Sequence, residues 1–193
     1  MKHPLEAISA DEINIAVDLC RSYSGFDENA LFVNISLVEP EKEFVRNYKQ
    51  GDDCPRTLKI RGIDSKEDGG FVAIIDLKSN NVNSLNRVSG KAQVTYSMAE
   101  VFMTQQLTKA DASYQEALKK RGITDLDMVQ IDPWPAGGIV HETIKPGHRA
   151  LKTISFLRED QTDNAYAKPI TGVISHVDLT LQKVTHVEDH GVV

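Results

Sequence analysis

Two stretches of this chain alternate apolar and polar residues in the same way. Residues 70–85 read GFVAIIDLKSNNVNSL and residues 172–187 read GVISHVDLTLQKVTHV, 102 positions apart from Asp76 to Asp178. In the first, Phe71, Ala73 and Ile75 alternate with Val72, Ile74 and Asp76, and Lys78–Asn81 supplies turn residues. In the second, Val173, Ser175 and Val177 alternate with Ile174, His176 and Asp178, with the turn near 180–183. Period-two alternation broken by a short polar run predicts a β-hairpin. Apolar residues on both faces of the first strand predict burial on one face and partial cover on the other.

The same reading extends upstream. Ser9 and Glu12 form a capping-box pattern ahead of a helix over 10–23, with Ile13, Ala16, Val17 and Cys20 on one face. At the 102-residue spacing Asp111 is another N-cap. It opens a helix over 112–121 with Ala117 and Leu118 inward and Gly122 as its stop. SMAEVFMTQQLTKA adds a helix before Asp111, anchored by Val101, Phe102 and Leu107. ALFVNISLVEP, RTLKIRGI and HRALKTISFLRED read as further strands. The expected fold is α+β, with two tandem homologous domains, 1–93 and 94–193. Each is a cystatin-like helix packed on a small, mostly antiparallel sheet, joined near residues 88–97. About 90 residues suffice for a modest core.

Composition narrows the function classes. A formal charge of −6 with 26% charged residues disfavours nucleic acid or an anionic membrane as partner. The longest basic run, Lys119–Arg121, suits a helix's last turn. No apolar run approaches ~20 residues, and the start lacks a secretion signal's apolar core, so the expected compartment is cytoplasmic. Cys20 and Cys54 read as buried free thiols, without a readable pairing.

Candidate chemistry is sparse. His186 and His190 are four apart in a strand-like stretch, about 13 Å at strand rise, which is too far for one metal ion. His141 and His148 bracket a loop-like segment. His-x-His, His-Glu-x-x-His, Cys-x-x-Cys, phosphate-loop and nucleophile-elbow patterns are missing. The six histidines therefore read as solvated or hydrogen-bonded. Asp132–Gly138 reads as a rigid turn carrying the single tryptophan, Trp134, either as a lid on the second core or as an exposed aromatic meeting a partner or ligand.

The segments DPWPAG (132–137), RALKTISFLRED (149–160), DNAYAKPITG (163–172) and VTHVEDHGVV (184–193), with HPLEAISADEI near the start, resemble the copper-containing primary-amine oxidases. The resemblance spans essentially the whole chain and is strongest from residue 130 onward. It implies the second and third N-terminal domains of that family, which precede a catalytic β-sandwich. There, copper and topaquinone convert a primary amine, O2 and water to aldehyde, ammonia and hydrogen peroxide. The cofactor tyrosine lies in an Asn-Tyr-Asp/Glu context, and the copper ligands include His-x-His. Here Asn47-Tyr48 is followed by Lys49, Asn164 and Tyr166 are separated by one residue, and the family pattern runs on past Val193. No cofactor or metal is therefore expected in this chain, and the chain by itself is expected to be inactive. By resemblance, Phe102 and Trp134 would line the substrate-channel entrance. The partner would be the catalytic domain of a homodimeric parent enzyme. An independent small-ligand or protein-binding module is the alternative.

Overall fold

The computed structural model describes residues 3–64, 69–88 and 93–192. The expected junction around 88–97 falls partly on residues 89–92, outside the described residues. Two compact units divide between Thr95 and Tyr96.

In the first unit, α1 (Ala10–Ser22) starts at a complete capping box: Glu12 N–H donates to Ser9 Oγ, and Ser9 N–H donates to the Glu12 carboxylate. It packs Ala16 and Cys20 onto an antiparallel sheet of β1 (Leu31–Val38), β2 (Thr57–Asp64), β3 (Gly69–Asp76) and β4 (Asn81–Val88), in that order. A short α2 (Lys42–Asn47) lies between β1 and β2. Phe71, Ala73 and Ile75 are fully buried with Leu58 and Ile60, while Val72 and Ile74 are half-buried, the asymmetry the alternation predicts. Gly62 stands between Phe32 on β1 and Phe71 on β3. A Cβ at Gly62 would lie 2.3 Å from the Phe71 ring and 2.4 Å from the Leu31 carbonyl oxygen.

In the second unit, α3 (Met98–Ala110) and α4 (Ala112–Lys119) cover a sheet of β5 (Val129–Pro135), β6 (Ala150–Leu157), β7 (Val173–Asp178) and β8 (Lys183–Asp189). Asp111 caps α4 by accepting from Tyr114 N–H, and Ala117 and Leu118 point inward as expected. The Gly122 stop is a Schellman motif: Ile123 N–H donates to Leu118 O, Gly122 N–H to Lys119 O, and Gly122 has φ +74°. Arg121 and Lys120 then clamp Asp189 at 2.9 and 3.0 Å, tying the helix end to β8.

Three expectations are corrected. Asp132–Pro135 is strand, not turn, because β5 is an edge. The Met128 carbonyl accepts from Arg158 N–H just past β6 and Ala136 N–H donates to Ala150 on β6, whereas the Ile131 carbonyl accepts from Gln105 on α3. Pro133 and Pro135 share the outward phase of Ile131, so the N–H groups they lack would not have joined the ladder. Secondly, the counterpart of α1 is α3 rather than α4. Ser97 and Glu100 form its capping box, and Glu100 pairs with Arg149 just before β6, as Glu12 pairs with Arg56 just before β2. The duplication keeps its 102-residue spacing only in the hairpins: Asn80 and Gln182 both have positive φ, and the register shifts fall at Ile74/Ile75 and His176/Val177. Thirdly, Cys54 is only half-buried, though both cysteines are free.

Candidate functional site

The two residues expected at an entrance lie on the second unit. Phe102 is 55% exposed on α3 and does not anchor the helix; Thr104 and Thr108 are its fully buried residues, with Met103 and Leu107 against the core. Its stripe continues through Gln105, bonded to Ile131 O, and Lys109, bonded to Leu126 O, and so runs along the β5 edge. Met98, one turn earlier, is 64% exposed. Trp134 is also 55% exposed, which removes the core-lid reading. Its indole N–H donates to Asp132 Oδ2 at 2.9 Å. By alternation, Trp134 shares the face of Gln130 and Asp132, opposite Val129 and Ile131, which the helices cover. Phe102 and Trp134 therefore flank the same sheet edge from opposite layers. A polar cavity of about 310 Å³ opens beside Gln105, Lys109, Asp132 and Arg158.

The face carrying Trp134 holds residues that the sequence did not single out together. Trp134, Lys152, His176 and His186 are successive cross-strand partners in one row from β5 to β8. His176 is only 2% exposed and hydrogen-bonds Glu188 through Nε2. Burial pushes the His176 imidazole below its ordinary value against the opposing effect of Glu188, while Lys152 and His141 add to the lowering. The Glu188 carboxyl is also held low, by hydrogen bonds from His176 and then His190. Both directions favour a neutral imidazole beside an ionised carboxylate, with Nε2 as the donor. His176 Nδ1 is buried and has no hydrogen-bond partner among the described residues.

Over this row lies the β5–β6 connection, residues 136–149, long where hairpin loops commonly have about two to five residues. Ile144 is buried with Ala136 and Ala150. His141 stacks on His186 with centroids 3.9 Å apart and planes at 9°, and lies 5.0 Å from His176. Thr143 Oγ donates to Thr185 Oγ, and His148 Nδ1 bonds the buried Asp178 at 2.7 Å. Pairwise spacing along the sequence could not reveal this group, because a loop and two strands bring it together.

Two family models match the chain in succession: the copper amine oxidase N2 domain over residues 3–87 and the N3 domain over 99–193. The chain belongs to the copper amine oxidase family, as its N-terminal N2 and N3 domains. It is 31% identical over 195 residues to a primary amine oxidase of Klebsiella aerogenes, covering 99% of this chain and 25% of that protein. It is 29% identical over 189 residues to a primary amine oxidase of Arthrobacter sp. (strain P1), covering 98% of this chain and 28% of that one. The fold matches a copper-containing benzylamine oxidase from Hansenula polymorpha with a TM-score of 0.73 at 14% identity, over 97% of this chain and 30% of that chain.

The described residues do not fit the copper–topaquinone centre the family implies. No group of three or more His, Cys, Asp or Glu residues among them could hold a metal ion. His141 and His186 lie ring over ring, so their nitrogens do not converge on one point. Tyr48 ends α2 and meets only the edge of the His3 ring among the aromatic contacts described. No described helix is long and apolar enough to cross a membrane.

Proposed function

We propose that this chain is the non-catalytic part of a copper- and topaquinone-dependent primary-amine oxidase, which docks on the catalytic domain and shapes the entry of amines. The observation carrying the reading is the exposed apolar strip on the β5 edge. Met98 and Phe102 lie on one side, Trp134 on the other, and Ile139 (77% exposed) lies beyond. Exposed apolar groups gathered at one edge favour a partner surface over open water. Phe102 and Trp134, rigidly carried on a helix and a strand, can meet the tail of an incoming amine by apolar contact. The parent enzyme is expected to be a homodimer.

Two measurements test this reading. The 193-residue chain, supplied with copper and a primary amine, should release no hydrogen peroxide and develop no quinone absorbance. In the full-length enzyme, Phe102→Ala and Trp134→Ala should each change kcat/KM about threefold to tenfold for amines with bulky apolar tails, the effect of ~1 kcal/mol of lost contact. They should leave kcat for methylamine near the parent value. Copper-dependent peroxide production by the short chain, or equal loss with every amine, overturns the proposal.

A further inference from the structure

We propose that His141, His176 and His186 form a proton-sensitive clasp that holds the 136–149 connection on the sheet at neutral pH and releases its first half in mild acid. The inference is independent of the amine oxidase reading and rests on the geometry of the face.

Three of the contacts that hold the loop between residues 141 and 148 bear on the clasp. The His141 ring lies flat on His186, Thr143 bonds Thr185, and His148 bonds Asp178. Acid acts on these differently. Parallel imidazoles 3.9 Å apart stack well when neutral, but a second proton puts like charges face to face. Their surroundings offer little compensation. From β6, Lys152 adds positive charge in the same row, and from β7, His176 lies 5.0 Å from His141 and 5.8 Å from His186. From β8, Glu188 is the nearby carboxylate, already engaged by both His176 and His190. From β5, Asp132 is engaged by the Trp134 indole. Within the loop, Glu142 and Lys145 are exposed and opposite in sign.

At the other end His148 Nδ1 bonds the buried Asp178 carboxylate at 2.7 Å, a hold the stacked pair does not share. Thr143 Oγ, which donates to Thr185 Oγ, also bonds His141 Nδ1 at 2.9 Å, and Thr143 N–H donates to the same nitrogen, so this contact belongs to the His141 end. Acid therefore loosens the His141 end while the His148–Asp178 bond anchors the other, so the segment around 137–144 lifts about a fixed base. The buried shift of His176 has the same sign: burial disfavours its proton and favours the closed loop above the histidine range. The lifted segment would carry Ile139 and Val140 away from the row that begins at Trp134.

Amide exchange on the 193-residue chain tests the clasp. Ile144 is buried, so its N–H, which donates to His141 O at 2.9 Å, is shielded from water only while the segment stays down. Between about pH 7.5 and about pH 5.5 its protection factor should fall at least about tenfold, one pH unit's worth of coupling. The emission of the single tryptophan, Trp134, should shift over the same range. His186→Phe keeps a flat ring but cannot titrate, so its loop should stay protected in acid. His186→Lys should be loose already at neutral pH. Unchanged protection in the parent chain, or an equal fall in His186→Phe, overturns the proposal. Should either variant fold poorly, histidine NMR titration of the parent chain decides. Loop resonances must move with the His141 and His186 protons, and a midpoint matching neither of them overturns it.

Discussion

Gly62 shows how a single residue can be fixed by its neighbours. It lies inside β2, where glycine is ordinarily unfavourable, because the Phe71 ring and the Leu31 carbonyl oxygen occupy the space a side chain would take. Phe71 meets Phe26 and Phe32 edge-on at 5.2 and 6.0 Å, so its ring has little freedom to yield. Gly62→Ala should destabilise the chain by about 1–3 kcal/mol through overpacking, read as a lower denaturation midpoint with unchanged slope. Phe102→Ala and Trp134→Ala should stay within about 0.5 kcal/mol of the parent, since their rings are more than half exposed. The contrast separates a side chain that serves packing from one available to a partner. Sequence spacing gave no ground for that distinction at Phe102, because a phenylalanine at helical spacing is as readily an anchor as an exposed group.

At the scale of elements, each unit repeats one device: a capping-box glutamate that also binds the arginine preceding the second strand. Arg56 Nε donates to Glu12 at 2.7 Å while its Nη1 and Nη2 donate to the Glu6 and Ala7 carbonyls, and Arg149 Nε donates to Glu100 at 2.6 Å. One carboxylate thus fixes the start of a helix and the entry of a strand. The pairs are largely shielded, with side-chain exposures of 11% and 15% in one and 15% and 10% in the other. Removing the arginine should cost about 2–3 kcal/mol, between the values for an exposed and a buried pair. Burial pushes the Glu100 carboxyl up, but hydrogen bonds from Arg149 and Ser97 outweigh it and hold the group below its ordinary 4.5. The associated stability is complete above the unfolded value near 4.5 and is lost as pH falls through the lower folded value. Arg149→Ala should therefore show a shallower acid loss of stability than the parent in denaturation at stepped pH. The capping-box pattern at Ser9 was legible in sequence. Its twin at Ser97 was hidden because the spacing between equivalent residues grows from 88 at the caps to 93 at the arginines and 102 in the hairpins.

At the scale of the whole molecule, each unit has a main core of its own, and the second adds smaller clusters around Ile144 and Leu151. Ala16, Cys20, Leu58, Ile60 and Phe71 form the first main core; Tyr114, Leu118, Val129, Ile131 and Val173 form the second. Each unit, expressed alone as residues 1–95 or 96–193, should keep its circular dichroism spectrum and unfold cooperatively, since about 95 residues can bury an adequate core. A unit that stays unfolded would show that its core depends on the rest of the chain. The sequence by itself determined the α+β class, both hairpins, the helices capped by Ser9 and Asp111, and the family, because these follow from local periodicity, turn chemistry and ordered motifs. Only the tertiary structure decided that Asp132–Pro135 is an edge strand, that Trp134 faces outward, and that three histidines from one loop and two strands share a face. Those outcomes depend on which strand ends the sheet and how a long connection folds back over it. Both are set by pairings between distant residues, which local sequence patterns do not encode.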